Sequence, residues 1–424
     1  MRRTLLLLAL TLVATGVGTR PALAGPPAPA PAPAASATAA PEAALTGIRS
    51  LEAGDDHTCA VLTSGEARCW GAGGFRQLGN GLNASPGIPN AVLNTAGTAP
   101  LTGITQISGG GNHTCARLAN GQARCWGYNG DGSLGVGDKA ARTFPVVVKG
   151  VGGAGRLRDV RQVVTGWNHT CARVIGGAVR CWGANSDGQI GDDTLNGSHD
   201  SPTVVLAPTG SGPLAGATQL SAGLHFNCAR LDTGRAVCWG NNGNYQLGDG
   251  TNADRLRPVF VRNSANTAPL GGIRQVVTGY FFACALLNNG QARCWGNRPG
   301  GSSQLPVGVL NTAGTGPLTN ITSMSASANH VCFRQSDGRV RCLGTNANGE
   351  VGDLTTSPRP NPVLMRNTAG TAPATGVTAV TVGERHTCAR LNTGQAMCSG
   401  ANDIGQLGAG PGPGTARPIG VRVS

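Results

Sequence analysis

Apolar and polar residues alternate along this chain in short runs, which Gly, Asn and Pro interrupt. One such stretch contains "ITQIS" (104–108), "HTCARL" (113–118), "QARCW" (122–126) and "PVVVK" (145–149). Apolar segments of this length between turn-forming residues are typical of short strands. No segment after the N-terminus shows a sustained helical period. The pattern predicts an all-β protein in which these four segments form one antiparallel group.

The cysteines give this pattern its period. Nine residues separate the members of each of seven pairs: Cys59 and Cys69, Cys115 and Cys125, Cys171 and Cys181, Cys228 and Cys238, Cys284 and Cys294, Cys332 and Cys342, and Cys388 and Cys398. The first cysteines of successive pairs lie 56, 56, 57, 56, 48 and 56 residues apart, and such periods indicate a propeller, solenoid or array. Four strands in each of seven units predict a seven-bladed β-propeller of four-stranded antiparallel blades. A linear solenoid is the rival fold, although it needs atypical end repeats, and the end units here resemble the middle ones.

The repeat resembles that of the regulator-of-chromosome-condensation family. The matching segments include "GGGNHTCARLANGQARCWGYNGDGSLG" (109–135) and "GNNGNYQLGDG" (240–250), and the resemblance covers 46–424. The fifth unit departs from the pattern because it is eight residues short, and Leu343 and Ser399 replace a recurrent Trp. The resemblance implies a seven-bladed propeller that meets a partner through one face of its disc. Members include a nuclear exchange factor for a small GTPase and a secreted bacterial inhibitor of β-lactamase.

The paired cysteines are interpreted as disulfides within a hairpin. Cys115 and Cys125 lie at equal distances from Asn120, so a tight turn places them opposite each other on one face of the hairpin. Opposed Cα atoms at a non-hydrogen-bonded position are about 4.5 Å apart, which a disulfide accepts. Reduced structural cysteines and zinc are the alternatives. Zinc sites favour closer cysteine spacing and four ligands, whereas each hairpin offers two.

The first 45 residues carry targeting and linker signals. A basic start, an apolar run and an Ala-Leu-Ala ending predict a signal peptide at 1–24, followed by a Pro/Ala-rich linker at 25–45 and the propeller at 46–424. We therefore expect a periplasmic or secreted protein. No later run is long and apolar enough for a membrane span.

The distribution of charged residues does not favour a nucleic-acid partner. Removal of the arginines in the signal peptide lowers the formal net charge from +13 to +10. The positive residues are dispersed and form no basic cluster, so we expect no nucleic-acid partner. We also expect the protein to be a monomer.

A recurrent position two residues before the first Cys of each pair, here named the His/Phe slot, could suggest a metal centre. It holds His57, His113, His169, Phe226, Phe282, His330 and His386. Because phenylalanine replaces histidine in two units, we interpret the slot as packing, with one hydrogen bond to a neighbouring loop. No metal site, cofactor motif or catalytic motif is predicted. An axial-channel enzyme would have to use Asp55, Asp56, Glu384 and Arg385, which ring closure brings together.

Residues that break the repeat are concentrated on one face of the predicted disc. The loops between strands 1 and 2 and between strands 3 and 4 of every blade emerge on that face. They contain the predicted partner-binding residues Phe75, Tyr128, Trp167, Leu224, His225, Tyr245, Tyr280 and Phe281. Trp167, Leu224, Tyr280 and Phe281 lie on consecutive blades, so they form either an exposed apolar arc or a plug in the axial channel.

These observations favour an exported, disulfide-braced module that binds another protein. Family resemblance offers a guanine-nucleotide-exchange-factor-like activity as the alternative, although export and disulfides argue against a cytosolic GTPase as partner. An axial-channel enzyme and a surface-attached structural module are further alternatives.

Overall fold

The computed structural model describes residues 44–410 and 417–423 and contains seven four-stranded antiparallel sheets. This confirms the predicted seven-bladed β-propeller. The signal peptide predicted at 1–24 lies outside the described residues, as does the linker predicted at 25–45 except for its last two residues.

Strands follow one another in chain order within each blade. The first blade contains β1 (Ile48–Ala53), β2 (His57–Leu62), β3 (Ala67–Gly71) and β4 (Asn90–Ala91). The second contains β5 (Ile104–Gly109), β6 (His113–Leu118), β7 (Ala123–Gly127) and β8 (Arg142–Val147). The third contains β9 (Val160–Thr165), β10 (His169–Val174), β11 (Val179–Ala184) and β12 (Ser198–Val204), with short 3-10 turns at Val151–Gly153 and Ile175–Gly177. The fourth contains β13 (Ala217–Ala222), β14 (Phe226–Leu231), β15 (Ala236–Gly240) and β16 (Arg255–Phe260).

The last three blades repeat this order. The fifth contains β17 (Ile273–Thr278), β18 (Phe282–Leu287), β19 (Ala292–Arg298) and β20 (Gly301–Gly308). The sixth contains β21 (Ile321–Ser327), β22 (His330–Gln335), β23 (Val340–Gly344) and β24 (Arg359–Leu364). The seventh contains β25 (Val377–Val382), β26 (His386–Leu391), β27 (Ala396–Gly400) and β28 (Arg417–Arg422).

The blades close into a ring around their first strands. Each first strand contacts the first strands of both neighbouring blades, and β1 contacts β25 and β26 of the last blade. The Leu45 amide also donates to the Val423 carbonyl over 3.0 Å. These contacts join the two ends of the described propeller and exclude a linear solenoid.

The fourth strand of the second blade begins earlier than its sequence suggests. The segment predicted at 145–149 is observed as β8, Arg142–Val147, which therefore contains Pro145. The register between β7 and β8 shifts between Cys125 and Gly127, so the strand begins before the proline. Proline is tolerated there because β8 is the edge strand of its sheet.

A disulfide joins the second and third strands of every blade, with Cα atoms 4.0–4.1 Å apart. The bonds join Cys59 to Cys69, Cys115 to Cys125, Cys171 to Cys181, Cys228 to Cys238, Cys284 to Cys294, Cys332 to Cys342, and Cys388 to Cys398. All of these cysteines are buried, and none is free. The pairing leaves no thiolate for zinc, which was one of the alternatives considered for these residues.

Each disulfide packs into an apolar cluster shared with the following blade. Cys59 and Cys69 share a cluster with Ile107 and Trp126 of the second blade. Since a cystine is compact and apolar, it fills the space beside the next sheet as well as closing its own hairpin.

Adjacent blades are joined through a main-chain carbonyl in the loop between strands 3 and 4, here named the loop carbonyl. In the first blade it belongs to Gln77, which accepts hydrogen bonds from Trp126 Nε1 (2.8 Å) and Thr114 Oγ1 (2.7 Å) of the second blade. Thr114 and Trp126 lie opposite each other on β6 and β7, so their side chains point toward the same neighbour. The same pair of bonds to one carbonyl recurs at Ser133, Gln189 and Gln406.

Histidines in the His/Phe slot extend this contact. His57 Nε2 lies 2.8 Å from Thr114 Oγ1. Because the Thr114 hydroxyl gives its one hydrogen to the Gln77 carbonyl, it accepts from His57, whose ring therefore carries its proton on Nε2. Burial lowers the pKa of His57 to about 4, so the ring is neutral at pH 7. The predicted hydrogen bond of the slot thus goes to a strand of the next blade, not to a loop.

The contact between the fifth and sixth blades departs from this arrangement. The shortened fifth unit replaces the long loop with a tight turn between β19 and β20, so no loop carbonyl faces the sixth blade there. At this boundary the slot His, the Thr and the Trp of the usual contact are replaced by Phe282, Val331 and Leu343, which share an apolar cluster. The Phe226 slot of the fourth blade likewise faces an apolar partner position, Ala283, in the fifth. The slot therefore holds His where the facing residue of the next blade is Thr or Asn, and Phe where that residue is apolar.

We expect the His57 and Thr114 side chains to be energetically coupled. Thr114→Ala should lower the free energy of unfolding by about 1–3 kcal/mol, because it leaves a buried His57 donor unpaired. Adding His57→Phe should cost less in that background than in the wild type, since the double variant reproduces the Phe226/Ala283 pair. Urea denaturation of the two single variants and the double variant, with disulfides intact, measures the coupling. Strictly additive losses would contradict it.

We also expect the oxidised protein to contain no reactive thiol. Intact-mass analysis after denaturation and alkylation should show no label without reductant and fourteen labels after reduction, since the structure pairs every cysteine. Any label added before reduction would contradict the pairing.

Candidate interaction face and axial channel

The loops between strands 1 and 2 and between strands 3 and 4 share one face of the disc, here named the loop face. Arg385 lies in the first kind of loop of the seventh blade and pairs with Asp403 (2.9 Å) in the second kind. Arg385 also pairs with Asp56 of the first blade (3.0 Å). The Arg385–Asp403 pair requires the two kinds of loop to emerge on the same side, and the Arg385–Asp56 pair joins loops of the first kind across the boundary between the last and first blades.

The aromatic residues predicted to bind a partner form separate groups on the loop face. Phe75 is 51% exposed and packs edge-on against Tyr128 of the second blade, with ring centroids 5.9 Å apart. Tyr245 is half-buried in the corresponding loop of the fourth blade, where its φ is 64°. Phe75 and Tyr128 are thus joined across one blade boundary.

Trp167 is the second exposed aromatic side chain of this face, at 40% exposure. Its ring packs edge-on against His225 of the fourth blade at 5.8 Å and covers Gly111 of the second, where an added Cβ would overlap Trp167 Cδ1. His225 Nδ1 lies 3.9 Å from Asp187, and burial lowers the pKa of His225 despite this carboxylate. Trp167 therefore spans three consecutive blades.

Tyr280 and Phe281 are half-buried and pack edge-on at 6.2 Å. The Tyr280 hydroxyl lies near the carboxylates of Asp55 of the first blade and Glu384 of the seventh. Burial, followed by the charges of these carboxylates, raises the pKa of Tyr280. The Tyr280 side chain thus points across the ring.

Trp167, Leu224 and Tyr280 border the axial channel, which contains a cavity of about 290 Å³. The structure therefore combines features of the two arrangements considered from sequence, because Trp167 remains exposed while Tyr280 turns inward.

Glutamine side chains hold the channel wall together over four blade boundaries. Gln106 Oε1 accepts from the Val163 amide (3.0 Å) and its Nε2 donates to the Val163 carbonyl (2.8 Å), which clamps the first strand of the next blade. Equivalent clamps join Gln162 to Leu220, Gln219 to Val276 and Gln275 to Met324. The remaining units have Ser50, Ser323 and Ala379 at this position, which are too short to form the clamp.

The unclamped side of the channel is acidic. Burial raises the pKa of Glu52 to about 8. Burial, with the negative charges of Glu384 and Asp56, raises the pKa of Asp55 to about 7. The pKa of Glu384 is also raised, by burial and then by Asp56, although Arg385 opposes the rise. The structure thus brings together the four charged residues expected from ring closure.

Glu52 is the residue of this cluster that sequence reasoning missed. The equivalent residues of the other units are Ser108, Val164, Ser221, Val277, Ser325 and Thr381. An internal comparison of the repeat would have identified Glu52 as the one acidic side chain at this position. Its inward direction follows from strand alternation.

Neither a metal cluster nor a membrane-spanning helix occurs in the described part of the chain. Within residues 44–410 and 417–423, no three His, Cys, Asp or Glu side chains converge as a metal site. Over the same ranges, no helix is long and apolar enough to cross a bilayer.

Comparisons with known proteins agree with this architecture of repeated blades. Models described as regulator of chromosome condensation (RCC1) repeat match residues 48–77, 104–133, 160–189, 217–246, 273–299 and 377–406, and also 64–117 and 120–173. The matched segments cover more than half of the chain, so it belongs to the RCC1 repeat family.

Individual relatives are distant. The chain is 30% identical over 263 residues to the ultraviolet-B receptor UVR8 of Arabidopsis thaliana, covering 62% of this chain and 56% of the receptor. The chain therefore spans little more than half of that relative. Yeast RCC1 (Prp20), in a complex with Kap60, is 19% identical with a TM-score of 0.66, covering 93% of this chain and 91% of that one. A second structure, of Prp20p from Saccharomyces cerevisiae, is 20% identical with a TM-score of 0.64, covering 89% and 87%.

We expect Gly111→Ala to displace the Trp167 ring. Five tryptophans are fully buried and Trp167 is 40% exposed, so acrylamide quenching reports mainly on Trp167. Because a methyl group at Gly111 would overlap that ring, the variant should show increased quenching. Gly74→Ala is the matched control on the same face, where an added Cβ meets nothing within 4 Å. Equal quenching of the Gly111 variant and the wild type would contradict the packing.

Proposed function

We propose that this protein is an exported module that binds another protein through the loop face of its third, fourth and fifth blades. The observation that carries the proposal is the distribution of departures from the repeat. The two exposed aromatic side chains among the described residues both lie on the loop face, Trp167 on the third blade and Phe75 on the first. Exposed aromatic residues beside half-buried ones are typical anchors of protein interfaces.

Exposed aliphatic residues do not distinguish the two faces. Ile175 (58%), Val151 (45%) and Leu310 (45%) lie in turns and links of the opposite face. They belong to generic turn segments of the repeat, whereas Trp167 is packed in a defined orientation by Gly111 and His225. A pre-positioned aromatic ring loses little conformational entropy when a partner covers it.

The relatives support protein binding in general terms. Prp20p has been studied for its binding to Gsp1p and histones, and yeast RCC1 has been crystallised with Kap60. A guanine-nucleotide-exchange-factor-like activity is the alternative that these relatives suggest. We rank it second because seven disulfides suit an oxidising compartment, where a cytosolic GTPase is absent.

Replacing the aromatic anchors should abolish partner recovery. We expect the triple variant Trp167→Ala/Tyr280→Ala/Phe281→Ala to recover at least about tenfold less partner from secreted or envelope material, since buried aromatic anchors dominate binding energy. Quantitative mass spectrometry of proteins retained by the immobilised propeller measures the loss.

A matched control removes apolar surface from the opposite face. The triple variant Ile175→Ala/Val151→Ala/Leu310→Ala deletes three exposed side chains there and should retain the partner. Equal recovery of the partner by the wild type and the aromatic variant, with loss in the control variant, would show that the partner binds the opposite face and would contradict the proposal.

A further inference from the structure

The axial channel contains acidic groups without a matching cation. Glu52, Asp55 and Tyr280 are the titratable residues in the described wall of the cavity, and no Lys, Arg or His lines that wall. The nearest arginine of the cluster, Arg385, is already paired with Asp56 and Asp403. The cavity is therefore an acidic compartment within a chain whose formal net charge is +13.

Glu52 is the observation that points to a ligand. Its side chain is half-buried in the first strand of the first blade, and the surface that it retains borders the cavity. The described structure gives this carboxylate no ion-pair partner and no hydrogen-bond donor. Equivalent side chains in other blades bind the next first strand, as when the Thr165 amide donates to Ser108 Oγ (3.2 Å). A carboxylate that is partly withdrawn from water and has no partner favours either protonation or a cation.

The wall beside Glu52 offers further acceptors. The amide and the carbonyl of Val163 both face the preceding blade, where Gln106 bonds both of them. The equivalent residues Leu51, Ile107 and Val380 face Ala379, Ser50 and Ser323, which cannot form that clamp. The unclamped strand edges therefore lie on the side of the channel that Glu52 occupies.

We propose that the axial channel binds a primary ammonium group, with Glu52 and Asp55 as its counter-charges. An ammonium group has three donors, which suit carboxylates and strand carbonyls. Trp167 and Tyr280 border the mouth, where aromatic faces favour a passing cation. A volume of about 290 Å³ is at the lower end for small-ligand pockets and accommodates a short alkylamine. The group can belong to a free amine or to a lysine side chain of a bound protein.

Affinity for the ammonium group should rise with pH. The raised pKa values of Asp55 (about 7) and Glu52 (about 8) mean that both become charged as the pH increases from about 6 to 8.5. Glu384, Asp56, Arg385 and Tyr280 also face this cluster and affect its titration. Without ligand, the free energy of unfolding should fall as the pH increases over this range. The reason is that Glu52 and Asp55 bind their protons more tightly in the folded state than in the unfolded state.

Isothermal titration calorimetry with cadaverine (1,5-diaminopentane) tests the proposal at pH 8.5 and low salt. We expect saturable binding to the full chain, weakened about tenfold or more at pH 6 and in the Glu52→Gln variant. Glutamine is isosteric and already lines the channel in four other blades, so this variant should fold. Its stability should also decline less than that of the wild type between pH 6 and 8.5.

Two controls and one further ligand complete the experiment. Asp337→Asn removes an exposed carboxylate in a turn on the opposite face and should leave binding unchanged. Uncharged 1,5-pentanediol should not bind. Nα-acetyl-lysine methylamide distinguishes the sources, since its binding would favour a partner lysine, whereas binding of cadaverine alone would favour a free amine.

No saturable binding of either amine at pH 8.5, equal binding to the Glu52→Gln variant, or equal binding of the diol would overturn the proposal. Partner recovery in the aromatic-variant experiment is measured separately, so a failure of either proposal leaves the other tested on its own.

Discussion

Six of the seven described blades depend on a main-chain carbonyl supplied by the blade before them. The Gln77 carbonyl accepts from both Trp126 and Thr114, and Thr114 in turn accepts from His57. One acceptor thereby satisfies two buried donors and fixes the rotation of one sheet against the next. A four-stranded sheet exposes two apolar faces and cannot bury them alone, so the ring is stable because this contact recurs around it. The disulfide of each hairpin braces the face that meets the following blade.

The boundary between the fifth and sixth blades shows which side chains accompany the loop carbonyl. Where the loop is lost, Phe282, Val331 and Leu343 replace the three polar partners with apolar side chains. A polar group retained there would be buried without its partner, which costs more than an apolar replacement of similar shape. The histidines are thus part of the architecture, because the buried, neutral His57 imidazole is hydrogen-bonded to the Thr114 hydroxyl of the next blade.

Much of the fold could be predicted because the cysteine spacing repeats along the chain. That spacing gave the blade number, the hairpins and the direction in which Trp126 and Cys125 point. The bounds of β8 were harder to predict because a register shift at Cys125 admits Pro145 into an edge strand. The His57–Thr114 pairing was within reach of the sequence, since Phe226 occurs together with Ala283 in the next blade.

Less of the candidate site could be predicted. The sequence indicates which loops share a face, and ring closure brings Asp55 near Glu384. The reach of Tyr280 across the sixth blade depends on the ring diameter and on the side-chain rotamer, which residue spacing does not determine. The importance of Glu52 depends on what surrounds it, because a polar residue on a first strand could equally have bonded the neighbouring strand, as Ser108 does.

Two kinds of residue therefore share each blade. Residues that repeat join the blades, whereas residues that break the repeat are found on the loop face and in the channel. This division is consistent with a rigid scaffold that presents variable loops. The hairpin with its disulfide, although the most conspicuous motif of the chain, belongs to the part that repeats and contributes to the architecture.

Hydrogen–deuterium exchange of the protein with and without its captured partner tests this division most directly. The account predicts that added protection is confined to the loops between strands 1 and 2 and between strands 3 and 4 of the third, fourth and fifth blades. Protection concentrated instead in the turns between strands 2 and 3, on the opposite face, would contradict it.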